Sequence, residues 1–293
     1  MLFLGTVLTI AVASMAIAAP TPRPDLLVST DWLAQHGNDP KVVVLQVSRD
    51  TKVYDAGHIP GSRFLSLGDI TSTKNGILNE LPPVADLKAA FERAGVSDDT
   101  RVILVADVSP VFTSRAFFTL DYLGHDQTAM LDGGLPKWKA ESRPMETAKP
   151  EAKMGRLTPH PRPEIVATKD SVAATAKSGS ALLLDARPEA DHKGTLAANT
   201  EIPRPGHIPG SVNLFWQQGQ VNKDDMSLLS ETQLRKLYEQ VGVKSDKPVI
   251  TYCNTGMQAS QSYFTLKYLG YDVKMYDGSF SEWSEAKDTE VQK

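Results

Sequence analysis

Gly57-His58-Ile59-Pro60-Gly61-Ser62 returns residue for residue as Gly206-His207-Ile208-Pro209-Gly210-Ser211. Further along, Phe118-Thr119-Leu120-Asp121-Tyr122-Leu123-Gly124 returns as Phe264-Thr265-Leu266-Lys267-Tyr268-Leu269-Gly270, and Asp132-Gly133 with Trp138 returns as Asp277-Gly278 with Trp283. The offsets are 149, 146 and 145 residues, in the same order, so the chain is read as two copies of one domain. The stretch 143–163 holds Pro144, Pro150, Pro159, Pro161 and Pro163 without apolar periodicity, which is linker chemistry. The first copy then occupies 24–142 and the second 164–287.

Composition agrees with two globular units: 293 residues, 41% hydrophobic and 23% charged. A formal net charge of -4 gives no general attraction to nucleic acid or an anionic membrane. Met1 to Ala19 carries no charge and is dominated by aliphatic residues, ending in Ala16-Ile17-Ala18-Ala19-Pro20. Residues 1–18 are therefore expected to be a cleaved secretory signal, leaving an exported, periplasmic protein with no membrane segment; an uncleaved anchor is the competing reading. An exported chain with one cysteine, Cys253, has no internal disulfide, so its free thiol needs a reason: a small buried hydrophobe or a reactive group.

Within each copy, apolar β-rich runs alternate with helical patterns. Lys41 to Val47, Arg101 to Ala106 and Ala129 to Leu131 read as strands in the first, and Ala181 to Asp185, Pro248 to Tyr252 and Val273 to Tyr276 in the second. Val84 to Ala94 and Glu231 to Val241 read as helices. The alternation predicts an α/β fold: two tandem domains, each a parallel β-sheet covered by helices on both faces, with ligands at the carboxyl ends of the strands. Cys253 stands at such an end, followed by Asn254-Thr255-Gly256-Met257-Gln258-Ala259-Ser260 and a new helical pattern. A strand-to-helix turn relaxed by Gly256 can aim successive amides at one anion, and these with the helix N-terminus are expected to lower the thiol pKa.

The two Gly-His-Ile-Pro-Gly-Ser segments, Asp185-Ala186-Arg187 at a strand end, the Cys253 loop and the Asp-Gly segments leading to Trp138 and Trp283 together resemble the rhodanese family, and the whole mature chain is similar to a tandem-domain sulfurtransferase. The resemblance implies two rhodanese-like domains, of which the first lacks the thiol and walls the site. Subtracting the 146-residue repeat offset from Cys253 gives Asp107, in a loop that also carries Pro110 where the second copy has Gly256. It further implies double displacement with Cys253 as the nucleophile: the thiolate takes a sulfane sulfur from a small donor of the 3-mercaptopyruvate or thiosulfate type, and the persulfide passes it to a thiol or cyanide acceptor. No metal or organic cofactor is called for. The amides of Asn254, Thr255, Gly256, Met257, Gln258 and Ala259 would hold the anionic sulfur, with Arg187 as a candidate substrate anchor or, equally, a structural partner of a carboxylate. A protein acceptor is also admitted, as is a non-turnover sulfur carrier handing persulfide to a partner.

Related Cys-loop phosphatases and arsenate reductases close the loop with an Arg six residues after the Cys; here that residue is Ala259 and the next is Ser260, which disfavours phosphoryl chemistry. The basic residues that thiosulfate-using relatives place after the Cys and beyond the Asp-x-Arg segment are here Thr255 and Asp191, so thiosulfate is expected to be a poor donor. Arg187, His192 and Lys193 remain as anion anchors. His58 and His207 recur in both copies and are read as structural, outside any metal-ligand cluster. Trp138 and Trp283 are expected in the core, Trp216 as a possible wall of the site, and Asp107 as a solvated acid.

Overall fold

The structure, a computed structural model, describes residues 19–151, 153–222 and 226–293; the expected signal at 1–18 lies outside the described residues. The first unit runs β1 (Leu27–Val28), α1 (Thr30–His36), β2 (Val42–Ser48), α2 (Lys52–Ala56), β3 (Arg63–Ser66), β4 (Ser72–Lys74), β5 (Ile77–Glu80), α3 (Val84–Arg93), β6 (Arg101–Ala106), α4 (Pro110–Tyr122), β7 (Thr128–Leu131) and α5 (Gly134–Ala140). The second runs β8 (Val166–Ala167), α6 (Lys169–Ser178), β9 (Leu182–Asp185), α7 (Glu189–His192), β10 (Val212–Asn213), α8 (Glu231–Gln240), β11 (Val249–Tyr252), α9 (Met257–Tyr268), β12 (Val273–Tyr276) and α10 (Ser279–Glu285). The strand order is β1-β7-β6-β2-β3 in one sheet and β8-β12-β11-β9-β10 in the other, parallel throughout. The two orders are the same when equivalent strands are matched, which is the duplication expressed as topology.

Period-two alternation divides each sheet between two cores. Val43, Leu45, Val47, Val102 and Leu104 face a cluster shared with the second unit, whereas Val44, Ile103 and Val105 face an outer one with Leu33 and Trp138. In the second unit Leu184 and Val249 join the shared cluster, while Leu183, Ile250 and Tyr252 pack outward with Phe280 and Trp283. The helices that follow the strand-end loops, α4 and α9, pack against each other as well as against their own sheets, so both are buried nearly all round. Phe117 meets Phe264 edge-on at 4.9 Å and Phe118 meets Tyr263 at 5.1 Å. Each such aromatic pair adds about 0.5–1.5 kcal/mol beyond area burial. Ser114 Oγ donates to Gln261 Oε1, and Tyr263 donates to Asp121 Oδ2 at 2.7 Å.

The repeated hexapeptide is a turn. Ser62 N–H bonds to the Ile59 carbonyl and Ser211 N–H to the Ile208 carbonyl, each at 3.0 Å, with Pro first and a left-handed Gly second (φ +74° and +75°). His58 Nδ1 bonds to the Tyr54 carbonyl and His207 Nδ1 to the His192 carbonyl, each at 2.8 Å, so both histidines do structural work. Trp138 and Trp283 are core residues whose indoles donate to the Pro144 and Glu290 carbonyls. The proline-rich 143–163 stretch lies along the first unit: Gly155, His160 and Arg162 amides bond to the carbonyls of Glu92, Leu123 and Tyr122.

One element carries no expectation from the sequence. β4 and β5 form an antiparallel hairpin around Asn75-Gly76, both with positive φ (52° and 85°), the signature of a tight two-residue turn. This hairpin leaves the first unit and reaches the second.

Candidate functional site

Cys253 follows β11, the central strand of its sheet, directly, and is 2% exposed. The chain turns there because Gly256 takes φ +78°, a left-handed step that lets α9 begin at Met257. A Cβ on Gly256 would meet the Asp277 carbonyl and Oδ1 at 3.0 Å. The amides of Ala259, Thr255 and Gln258 converge on the Cys253 sulfur. Burial is the largest influence on that thiol and pushes its pKa up; the three amides pull it back, and Asp185 adds to the rise. The expected lowering is therefore corrected. The loop amides are present, but in the free protein the cost of burying a thiolate exceeds what they return.

The loop is held by a residue that sequence reasoning missed. Ser279 is fully buried with φ +53°, and its hydroxyl accepts from the amides of Cys253 (3.2 Å) and Gly256 (3.0 Å) while donating to the Tyr276 carbonyl (2.8 Å). The Phe280 and Ser281 amides bond back to the carbonyls of Cys253 and Asn254. In the first copy the equivalent position is Gly134, without a hydroxyl, and the loop has Pro110, without an amide. Donor and acceptor are missing together. The signal was available in the repeat, since the Asp-Gly segments continue with Gly134 in one copy and Ser279 in the other.

Arg187 is 1% exposed and four of its five N–H donors have partners: Asp185 takes Nε (2.9 Å) and Nη2 (2.6 Å), the Gly206 carbonyl takes Nη2 (2.8 Å), and Asn254 Oδ1 takes Nη1 (3.2 Å). Burial works to raise the Asp185 carboxyl, yet Arg187 and His192 hold it below its ordinary value. Of the two roles open to Arg187, the geometry is that of a carboxylate partner, which reaches the thiol loop through Asn254. Asp191 lies on α7 close enough to act on the Arg187 charge.

The wall comes from the first unit. Asn79, on the hairpin, donates to Thr255 Oγ1 at 2.9 Å, and the Leu81 amide donates to Asp277 Oδ2 at 2.8 Å. Arg115, on α4 and without exposure, donates Nη1 to Asp277 Oδ1 at 2.5 Å. Neither Asn79 nor Arg115 was singled out from sequence, because each lies in the copy without a thiol. Trp216 packs half-buried against the shared core, its indole nitrogen buried without a partner. Asp107 is 6% exposed, bound by Gln46 Nε2 (3.1 Å) and the Val108 amide (2.6 Å), so the expected solvated acid is in fact buried. Burial raises its carboxyl pKa against those hydrogen bonds. Among the described residues no group of three or more His, Cys, Asp or Glu is placed to hold a metal, and no helix is long and apolar enough to cross a membrane.

Comparison with known proteins bears on the whole chain. It is 37% identical over 272 residues to "Sulfur carrier protein TtuD" of Thermus thermophilus, covering 89% of this chain and 94% of that one. It is 33% identical over 269 residues to a "Putative thiosulfate sulfurtransferase" of Mycolicibacterium smegmatis, covering 89% and 95%. The crystal structure of the 3-mercaptopyruvate sulfotransferase SseA from Escherichia coli superposes with a TM-score of 0.75 at 27% identity, over 87% of this chain and 98% of that one. The anaerobic ergothioneine biosynthesis enzyme from Chlorobium limicola shares the fold, with a TM-score of 0.81 at 20% identity over 92% of this chain and 70% of that one. Residues 29–141 and 168–286 each match the rhodanese-like domain family. With both repeats matched, the same sheet order in each and relatives aligned over nearly their full length, the chain belongs to the rhodanese-like family of sulfurtransferases and sulfur carriers.

Proposed function

We propose that this protein is a sulfurtransferase that carries sulfane sulfur as a persulfide on Cys253. The observation that carries the reading is the difference between the two copies: the one with the thiol also has the amide of Gly256 and the hydroxyl of Ser279 that order its loop. The first copy has Asp107, Pro110 and Gly134 at the same places. In the first half-reaction the Cys253 thiolate attacks the sulfane sulfur of a small donor. The bond from that sulfur to the donor breaks, and the donor leaves with its electron pair. In the second, an acceptor attacks the outer sulfur and Cys253 departs as thiolate. The amides of Thr255, Gln258 and Ala259 stabilise the sulfur anion at both stages.

Thr255 and Asp191 stand where cations would neutralise a sulfonate, which supports thiosulfate as the poorer donor. The name of the Thermus thermophilus relative supports a second reading, a carrier that delivers sulfur to a partner protein without turning over small donors. Export is proposed from residues 1–18, and N-terminal sequencing of the purified protein tests it: an intact Met1 refutes cleavage.

The deciding experiment is intact-protein mass spectrometry after incubation with 3-mercaptopyruvate or thiosulfate. A gain of one sulfur atom, absent in Cys253→Ser, is the expected result. No gain with either donor overturns the enzyme reading, and a rate with thiosulfate equal to that with 3-mercaptopyruvate overturns the donor preference. Loading without steady-state turnover selects the carrier.

A further inference from the structure

A cleft of about 480 Å3 opens beside the thiol loop at Thr255, lined by the hairpin and the end of β2 from the first unit and by Glu201 from the second. Thr255 lines it, and the Thr255 amide also faces the Cys253 sulfur, so cleft and thiol share a residue. The first unit contributes Arg49, Thr73, Leu78 and Asn79; the second contributes Glu201. Arg49 sits just past β2 with its guanidinium 5.4 Å from the Phe112 ring centroid, a cation–π contact that gives the side chain a preferred position. The Glu201 backbone is held by an Asx turn in which Asn199 Oδ1 accepts its amide at 2.9 Å. Among the described residues neither Arg49 nor Glu201 belongs to an ion pair. The cleft therefore presents one cation and one carboxylate outside any ion pair, and its lining adds the hydroxyls of Thr73 and Thr255 and the amide of Asn79.

We infer that this cleft selects a zwitterionic small thiol, one carrying a carboxylate and an ammonium group on the same short frame as in a free α-amino acid, as the acceptor of the Cys253 sulfur. Arg49 pairs with the carboxylate and Glu201 with the ammonium. An acceptor with only one charge leaves one protein group unpaired, and a small dianion meets Glu201 with the wrong sign. The inference rests on the sulfur-transfer reading of Cys253 and assigns its second half-reaction. Cys253 is nearly inaccessible as a thiol, whereas the outer sulfur of a persulfide stands one S–S bond, about 2 Å, further out. The acceptor thiolate attacks that outer sulfur, the S–S bond to Cys253 breaks, Cys253 leaves with the electron pair, and the acceptor departs as its own persulfide. No oxidant or reductant is consumed.

The test uses the full chain loaded with inorganic polysulfide and desalted. Single-turnover sulfur loss is then compared for cysteine, cysteamine (no carboxylate) and 3-mercaptopropionate (no ammonium) at equal thiolate concentration. Cysteine is expected to be faster than either by roughly fivefold, the size of one exposed charge pair. Arg49→Gln is expected to abolish the preference over cysteamine only, and Glu201→Gln the preference over 3-mercaptopropionate only. Equal rates for the three thiols, or ratios unmoved by both substitutions, overturn the inference. Binding of S-methylcysteine to unloaded protein, by calorimetry against S-methylcysteamine, decides the cleft separately. If the protein does not load, the sulfur-transfer reading fails, while preferential S-methylcysteine binding that depends on Arg49 and Glu201 still upholds the charge selection. Equal binding of the two overturns it.

Discussion

Arg115 of the first unit and Asp277 of the second form an ion pair across the domain boundary, Nη1 to Oδ1 at 2.5 Å, in a place where the arginine is wholly buried and the carboxylate nearly so. Asp277 also takes the Leu81 amide, and the counterpart Asp132 takes the Leu228 amide at 3.0 Å, so each unit caps the Asp-Gly turn of the other. The contact to Asp277 includes Arg115 as well. The pair lies against Gly256, whose Cβ position is 3.2 Å from Arg115 Nη1. The copy without a thiol thus supports the loop of the copy that has one.

Arg115→Met leaves the Asp277 carboxylate buried without its cation, which costs about 3–5 kcal/mol. Thermal unfolding is expected to show this loss, and the double variant with Asp277→Asn is expected to lose less than the sum of the two single changes. Additive effects would mean that the two side chains are not coupled.

Ser279 makes a sharper probe because it combines a left-handed backbone with a hydroxyl that two amides need. Ser279→Ala removes the acceptor and keeps the unfavourable φ; Ser279→Gly removes the acceptor and relaxes the backbone. The glycine variant is therefore expected to be about 1 kcal/mol more stable than the alanine variant. Both should slow sulfur loading on Cys253, measured by mass spectrometry. Normal loading in both would show that the hydroxyl does not order the loop.

Glu80 sits between Asn79 and Leu81, which both hydrogen-bond to the second unit. Burial is the main influence on its carboxyl, and with Asp277 and Glu282 it pushes the pKa up to about 7 against the pull of Lys74 and Arg115. A carboxyl raised on folding contributes stability that is full below its unfolded value and is lost as pH rises through about 7. Glu80→Gln removes that loss. Because Glu80 is half-exposed, solvent screening reduces the effect to about 1–2 kcal/mol. The variant should melt about 2–4 °C above the parent at pH 8 or so and match it near pH 4. A constant difference across that range would contradict the assignment.

The Cys253 thiol, pushed up by burial, should be alkylated by iodoacetamide at a rate that still climbs above about pH 8.5, the ordinary thiol value. A plateau below neutrality would mean that the loop amides outweigh burial after all.

The two-fold repeat, the α/β alternation, the strand-end position of Cys253 and the absence of a thiol in the first copy were all legible from residue order. They rest on local periodicity and on identities that recur at a fixed offset. Helix boundaries at Val84 and Glu231 were legible for the same reason. The hairpin was within reach through Asn75-Gly76, but its strands are short and mostly polar, so periodicity alone did not reveal it. Whether Arg187 meets a ligand or a carboxylate depended on where Asp185, Gly206 and Asn254 lie in space. The burial of Asp107 depended likewise on Gln46.

What the sequence by itself determined is the scaffold and the identity of its one thiol, because strand, helix and turn preferences act over a few residues and the duplication repeats them. What only the tertiary structure decided is the environment of that thiol: how deeply it is buried, which amides face it, and which groups of the other unit stand over it. Desolvation and charge pairing depend on distances of a few ångströms between residues as far apart in the chain as Arg115 and Asp277. No local pattern in the sequence records such a distance.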